Sequence, residues 1–456
     1  MNNRWFTAVL VCLAAANVSR AQQDTLQIDV TTGNHGHNGP ICVPLSLPQE
    51  WAKFDEVSIL IITGKDPGKA VGQLTRPGIA TESIKPAKQG LVRRDLHLVL
   101  PDMPDGKLWT LVVYFEKTKQ QVTRFAWTEK KDEYQELILT RSGSFTPYLR
   151  YMNRPYDNSS NDARNKSYKV FHHLYDPAGK RFVTNGGFTN DGVDDPKKLL
   201  YPHHRGIMYG FNKCIYGPEL KAQADTWHCP ADGGKKKVPN AAHVAHEKTL
   251  SLENGPVVGR HRVLLGWYGA GDKPFAQEER ELTVYNIKGG TLVEFASRLR
   301  TTGGKVRVDG DPQHAGFQFR AHNNVAIDVE HHKKILKAPA PTYFLRPDGK
   351  GKLGETRNWD PKTKEGPVDL PWYAMSFVLD EQRYTTCYLN HPSNPKETRF
   401  SERDYGRFGG YFQRDITEKQ PLVVNYRLWL QTGAMTQEEA QALETAFASP
   451  PKCLVK

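Results

Sequence analysis

Short apolar runs with a period of two, cut by Pro and Gly turns, restrict this chain more than any other feature. The runs 57–62, 96–100 and 108–115 come first, and 263–268, 280–285, 292–299, 374–379, 385–389 and 422–430 follow. Alternation puts neighbouring side chains on opposite faces of a strand, so a run of this kind can bury one face and leave the other polar. Val293, Phe295 and Leu299 against Glu294 and Arg298 show the pattern within one run. Only the C-terminal stretch carries helix signals, where Thr436 and Glu439 form a capping box ahead of 440–447. The chain therefore reads as all-β. A small N-terminal β-sandwich is expected over 22–143, then a large antiparallel two-sheet sandwich over 146–456 that ends in the helix. The polar run 128–133 and the turn Ser142-Gly143-Ser144 mark the expected junction.

Residues 1–21 read as a secretory leader: Asn2, Asn3 and Arg4 open it, 6–18 are apolar, and Ser19-Arg20-Ala21 offers the small residues a signal peptidase reads. Cleavage after Ala21 would place the protein in the periplasm or outside the cell, and the mature chain has no apolar run long enough to span a membrane as a helix. With 62 basic and 50 acidic residues the formal charge is +12, and loss of Arg4 and Arg20 with the leader lowers it to +10. The basic residues are scattered, and Lys235-Lys236-Lys237 reads as a solvated loop, so nucleic acid is not an expected partner. An anionic polymer remains open. Cys42, Cys214, Cys229, Cys387 and Cys453 remain after cleavage, with Cys214 and Cys229 close enough in sequence to bridge. An odd number in so long a chain is no disulfide framework, so the fold must rest on a hydrophobic core.

Candidate functional residues gather beyond Phe145. In Tyr201-Pro202-His203-His204-Arg205-Gly206, strand alternation would put His203 and Arg205 on one face and His204 on the other. His203 or His204 is the candidate general acid or base, and Arg205 the group to meet a carboxylate or sugar hydroxyls. Asp225 and His228 flank Trp227 in a loop. They suit either ligand contact, with Trp227 stacking on a sugar, or a loop staple with Trp227 in the core. His314 opens a run whose alternation aligns it with Gln318 and Arg320, opposite Phe317 and Phe319, as a groove floor requires. Glu278, Glu279 and Glu281 offer a second acid/base member, and His391 lies in a Pro-bounded loop that suits a rim. His243-x-x-His246 reads as a loop, and no HxH or HxxxH falls on a clear element, so no cofactor is expected and a metal is kept only as an alternative.

Phe171-His172-His173-Leu174-Tyr175-Asp176-Pro177-Ala178-Gly179, the 201–206 stretch, Asp225-Thr226-Trp227-His228, Asn390-His391-Pro392 and Arg403-Asp404-Tyr405-Gly406 together resemble the bacterial family catalogued as methane oxygenase PmoA, over 146–433. That name implies a membrane-embedded copper monooxygenase subunit, which a β-rich chain without spans contradicts. The strand pattern is also similar to the sandwich of galactose mutarotase-like and polysaccharide-lyase proteins, a likeness of fold alone.

The expected function is that of an exported carbohydrate-active protein doing acid/base chemistry on a sugar or a uronic-acid-containing glycan, of lyase, epimerase or hydrolase type. A non-catalytic carbohydrate-binding protein needs the same aromatics and donors but no acid/base pair. A His-ligated metal-dependent enzyme is the further alternative.

Overall fold

The computed structural model describes residues 24–32, 37–63, 68–103, 106–116, 123–186, 199–230 and 242–456, and each expected apolar run falls in a strand, with Phe115 alone just past the end of its strand at Tyr114. The leader expected at 1–21 and the Lys235–Lys237 run lie outside the described residues. The architecture is β throughout, with antiparallel sheets in a sandwich-like arrangement and a helix near the C-terminus.

The front sheet orders its seven strands His37–Leu47, Val92–Met103, Gly68–Thr75, Glu56–Ile62, Leu108–Tyr114, Thr25–Thr31 and Lys452–Val455. Alternate residues such as Val43, Ile59, Leu98, Leu111 and Val113 share one core of their own. The last strand pairs with the first, Val30 opposite Cys453, so the end of the chain returns to the front sheet.

Two larger sheets face each other over the main core. One runs Arg399–Arg403, Arg407–Tyr411, Ala315–Arg320, Ile207–Phe211, Phe171–Leu174, Ser144–Met152, Tyr134–Arg141 and Arg124–Lys130. The other runs His243–Glu253, Val258–Tyr268, Pro274–Tyr285, Thr291–Thr301, Leu422–Thr432, Gln382–Asn390, Trp372–Leu379, Tyr343–Arg346 and Gly349–Lys350. Phe211, Phe317, Phe319 and Phe408 from the first meet Trp267, Phe295, Phe377 and Leu428 from the second, as alternation demands of two inner faces. A four-stranded sheet, Ala222–Ala224, Lys213–Gly217, Lys305–Asp309 and Arg414–Ile416, adds Cys214, Val306 and Val308 to the same core. The helix Gln437–Ala448 carries the expected capping box at Thr436 and Glu439.

Three expectations need correction. The strands Arg124–Lys130 and Tyr134–Arg141, assigned above to the front module, are the outer strands of the eight-stranded sheet. Phe125, Leu137 and Leu139 fill the main core, and Leu137 pairs with Leu149, so the hydrogen-bonded division lies between Tyr114 and Arg124. Cys214 and Cys229 are both free and buried, with Cys214 Sγ 3.7 Å from Thr226 Oγ1. His243 and His246 lie on the strand His243–Glu253, not in a loop. Among the described residues no helix is long and apolar enough to cross a membrane.

Candidate functional site

The 201–206 stretch is a turn and not the start of the strand, which begins at Ile207. His204 N–H donates to Tyr201 O at 3.0 Å, and Tyr201 sits at φ 55. Gly206, at φ +51, could not carry a side chain: a Cβ there would lie 2.1 Å from His172 O. Other contacts clamp the turn. Asn185 Nδ2 donates to His204 O at 2.9 Å, Lys169 Nζ to His203 O at 3.0 Å, and Tyr168 O–H to Pro202 O at 3.2 Å. The expected separation of His203 and His204 onto opposite faces therefore fails, and their rings lie 4.2 Å apart on the same site.

Two further loops complete the cluster. Thr226 Oγ1 both accepts from Phe211 N–H at 3.1 Å and donates to Phe211 O at 3.0 Å, which pins 225–229 against the strand Ile207–Phe211. Gly210 leaves room for it, since a Cβ there would lie 3.0 Å from Thr226 O. Asp225 Oδ1 accepts from Trp227 N–H and His228 N–H at 3.0 and 2.8 Å, while Oδ2 holds His228 Nδ1 at 2.8 Å. This is the loop staple of the two readings, with Trp227 in the core. At the entry to Ala315–Arg320, Asp311 Oδ1 holds His314 Nδ1 at 2.9 Å, and Asn212 Nδ2 fixes the other oxygen at 2.6 Å.

These loops bring four imidazoles together. Ring centroids are 4.8 Å apart for His203 and His228, 4.5 Å for His228 and His314, 5.5 Å for His203 and His314, and 5.6 Å for His204 and His314. A carboxylate on Nδ1 fixes the tautomer and leaves Nε2 of His228 and of His314 as the free lone pair. Their side chains are 34% and 23% exposed, so the cluster is reachable from solvent on that side. His203 Nε2 and His204 Nδ1 are buried without a hydrogen-bond partner. Burial, then the neighbouring His228 and Lys169, pushes His203 down to about 2, and burial followed by His203 and Arg407 holds His204 well below the usual imidazole range. Lowered in this way, both rings favour the proton-accepting form, so of the two roles expected of them, acid or base, the surroundings favour the base. Hydrogen bonds from His314, Gln313 N–H and Asn212 outweigh the burial of Asp311 and bring its carboxyl to about 2.

The remaining candidates take other places. Trp227 is fully buried and packs its ring 5.6 Å from that of His204, so it backs the cluster and has no face open to a sugar. Arg205 is also fully buried, donating to Pro202 O and Asn165 O with its guanidinium 4.4 Å from the Tyr168 ring, which makes it a clamp on the turn. Phe317 and Phe319 face the core as predicted, but the opposite face of that strand is covered. Gln318 accepts from Arg407 at 2.7 Å, and Arg320 donates to Tyr405 O at 2.6 Å, so neither lines a groove floor. His391 stands apart from the cluster, 5.1 Å from the Phe447 ring of the C-terminal helix, where it lines a cleft of about 640 Å³ against the front sheet. Glu278 is buried with Arg280, Trp267 Nε1 and Ser297 as donors, Glu279 pairs with Arg262 and Arg298, and Glu281 accepts from Ile79 N–H. None of the three faces the imidazoles as an acid/base partner.

Sequence reasoning missed Asp311, Lys169 and Tyr405. Asp311-x-x-His314 repeats the spacing of Asp225-x-x-His228, and that repeat is the signal in the sequence. Tyr405 stacks on Tyr201 at 4.3 Å and flanks His204, with no marker beyond its place in the 403–406 motif.

These observations define a two-sheet β-sandwich protein with a cluster of four imidazoles, two of them backed by carboxylates, held on loops that flank the strands Ile207–Phe211 and Ala315–Arg320. The chain belongs to a family of unknown function (DUF6807), whose model matches residues 139–444. This corrects the resemblance to the methane oxygenase PmoA family, since the family model that matches is that of DUF6807. No curated protein sequence matches the chain. Among solved structures, an alpha-mannosidase from Enterococcus faecalis V583 is similar over 95% of this chain at 9% identity and a TM-score of 0.39. The match covers 46% of the mannosidase, so this chain spans about half its length. The mutarotase-assigned protein YeaD from Salmonella typhimurium is similar over 70% of this chain and 97% of its own, at 11% identity and a TM-score of 0.30.

Proposed function

We propose that this chain is exported and acts on carbohydrate at the imidazole cluster, with His228 transferring the proton and Asp225 holding its tautomer. The observation that carries the reading is the Asp225–His228 dyad at 2.8 Å, placed at the exposed edge of three other imidazoles. An imidazole whose Nδ1 is fixed by a carboxylate presents Nε2 as a directed proton acceptor, and proton transfer of this kind contributes roughly 10²–10⁴-fold to rate. Tyr201, 39% exposed, stacked on Tyr405 and 6.5 Å from the His204 ring, offers an aromatic face at the cluster for the C–H face of a sugar ring. Lys169, Arg320 and Arg407 lie close enough to lower the affinity of His203 and His204 for protons, and this positive surrounding favours a glycan that carries uronate.

The test is a panel of neutral and uronate-containing oligosaccharides, scored for binding by calorimetry and for turnover by product analysis. Turnover of at least one, falling about 10²–10⁴-fold in His228→Ala with binding changed only a few-fold, is the expected result. Binding without turnover in the wild-type protein reassigns the site to recognition alone. No binding anywhere in the panel ends the carbohydrate reading.

A further inference from the structure

The geometry points to a binding site for one divalent transition-metal ion formed by His203, His204 and His314, with the Asp225–His228 dyad beside its open position. The inference rests on the same cluster as the proposed carbohydrate site, but the presence of the metal does not depend on the substrate class.

One nitrogen from each of His203, His204 and His314 lies within 4.8 Å of the others. Imidazole nitrogens bind zinc at about 2.0–2.1 Å, so ligand atoms on one ion are at most about 4 Å apart, and small rotations of the rings close the set. Two of the three rings carry orphaned atoms: His203 Nε2 and His204 Nδ1 are buried with no hydrogen-bond partner. Buried polar atoms in native proteins are satisfied, and a metal ion satisfies a bare imidazole nitrogen where no donor stands nearby. The third ring has the opposite arrangement. Asp311 holds His314 Nδ1 at 2.9 Å and is itself fixed by Asn212 and by Gln313 N–H, which is the outer carboxylate that orients a metal-bound histidine. Trp227 packs edge-on against both His204 and His314 and shields that side from water.

The surrounding cations set the type of metal. Lys169 donates to the carbonyl oxygens of His203 and Trp227, Arg320 to those of Ala321 and Tyr405, and Arg407 to Gln318 and Ser401, so each of these cations is held by oxygen partners of its own. Asp225 and Asp311 are the carboxylates that offset them. A set of three imidazole nitrogens with no carboxylate oxygen among them disfavours magnesium and calcium, which require oxygen ligands, and selects zinc or another imidazole-binding transition metal. Three protein ligands with a fourth position open are the arrangement of a catalytic metal rather than a structural one.

The experiment uses the full chain, stripped with chelator and titrated with zinc and with cobalt(II), read by calorimetry, by elemental analysis after gel filtration and by the visible absorption of bound cobalt. About one equivalent per chain is expected. Asp311→Asn should weaken binding about 10–100-fold while the far-ultraviolet dichroism is unchanged. His204→Ala and His314→Ala should each abolish stoichiometric binding, and His314→Ala, at the exposed side of the cluster, is the decisive variant if His204→Ala does not fold. Wild-type protein that binds neither metal, or binds it equally well in His314→Ala, overturns the site. Stoichiometric metal with no glycan recognised supports the metal site and ends the carbohydrate reading. Glycan binding by a chain that takes up no metal does the reverse.

Discussion

Gly206 is the residue on which the imidazole turn depends. At φ +51 it occupies the left-handed region, and an added Cβ would lie 2.1 Å from His172 O, a backbone atom with no freedom to move. A strained backbone costs about 1–3 kcal/mol, and the steric overlap adds to it. Gly206→Ala should therefore lower Tm by several degrees and disturb the cluster before it unfolds the sheets, seen as loss of metal or ligand binding at a temperature where dichroism is still native. Unchanged binding and Tm would show that the turn has another conformation open to it. The sequence marked the turn through Pro202 and Gly206, and it marked most of the cluster through the density of histidine. It did not mark which imidazoles converge, because His203, His204, His228 and His314 sit on three loops joined only by the fold. Spacing alone misleads, since Asp328-x-x-His331 repeats the Asp-x-x-His pattern on the helix Asn323–His331 and not on the loops of the cluster.

At the scale of the elements, alternation was legible and burial was not. The period-two runs became strands because a residue's neighbours on one strand suffice to set its face, and Phe317 and Phe319 point inward as their positions demand. Whether the other face meets water depends on what packs there, and no local pattern encodes the covering of Gln318 and Arg320 or the burial of Glu278 with Arg280. The same limit hides a group of histidines inside the sandwich. His172 on Phe171–Leu174 and His261 on Val258–Tyr268 face each other at 6.0 Å, with Tyr151 between them, and both are fully buried. His246, Arg280, Trp127 and Gln135 complete the surroundings of His261, whose Nε2 lies 3.0 Å from Gln135 Oε1. Burial, then His246 and Arg280, lowers His261 to about 3, and burial and Arg280 hold His172 well below the usual range. Above about pH 6.5 both are neutral folded or unfolded and contribute no pH dependence. As pH falls from about 6.5 towards 3, the unfolded chain takes up protons that the folded chain refuses, so stability drops by up to about 1.4 kcal/mol per pH unit for each ring. Urea midpoints should fall steadily from pH 7 to pH 5, and the slope should be shallower in His261→Gln. An identical slope in that variant would assign the acid sensitivity to other groups.

For the whole molecule, the question is where the chain can be cut. A division near residue 145 removes Arg124–Lys130 and Tyr134–Arg141, and with them Phe125, Leu137 and Leu139, each at most 1% exposed in the main core. Truncating one large core side chain costs about 2–5 kcal/mol, so the loss of three, about 6–15 kcal/mol before their strands are counted, is as large as the 5–15 kcal/mol that holds a typical domain together. A division between Tyr114 and Arg124 severs the packing of Val99 on the apolar cluster around Tyr285 and Trp429, and beyond that a set of polar contacts. Gln73 bonds Val257 and Val258 N–H and the carbonyl oxygens of Asn254 and Val258, Arg262 pairs with Glu82 at 2.6 Å, Arg298 also pairs with Glu82, and Arg260 donates to Arg76 O. Water can replace partners of this sort, whereas it cannot replace a hydrophobic neighbour. A fragment of residues 123–449 should therefore be soluble, unfold cooperatively and bind metal or ligand within about tenfold of the full chain, because all three loops of the imidazole cluster and both large sheets remain. A fragment of 146–449 should be recovered only as aggregate or as unfolded chain. If the shorter fragment folds and binds, the two strands are dispensable and the division belongs where the polar run 128–133 suggests it. If the longer fragment folds but has lost binding, the front sheet shapes the site through the second sheet, and function belongs to the two units together.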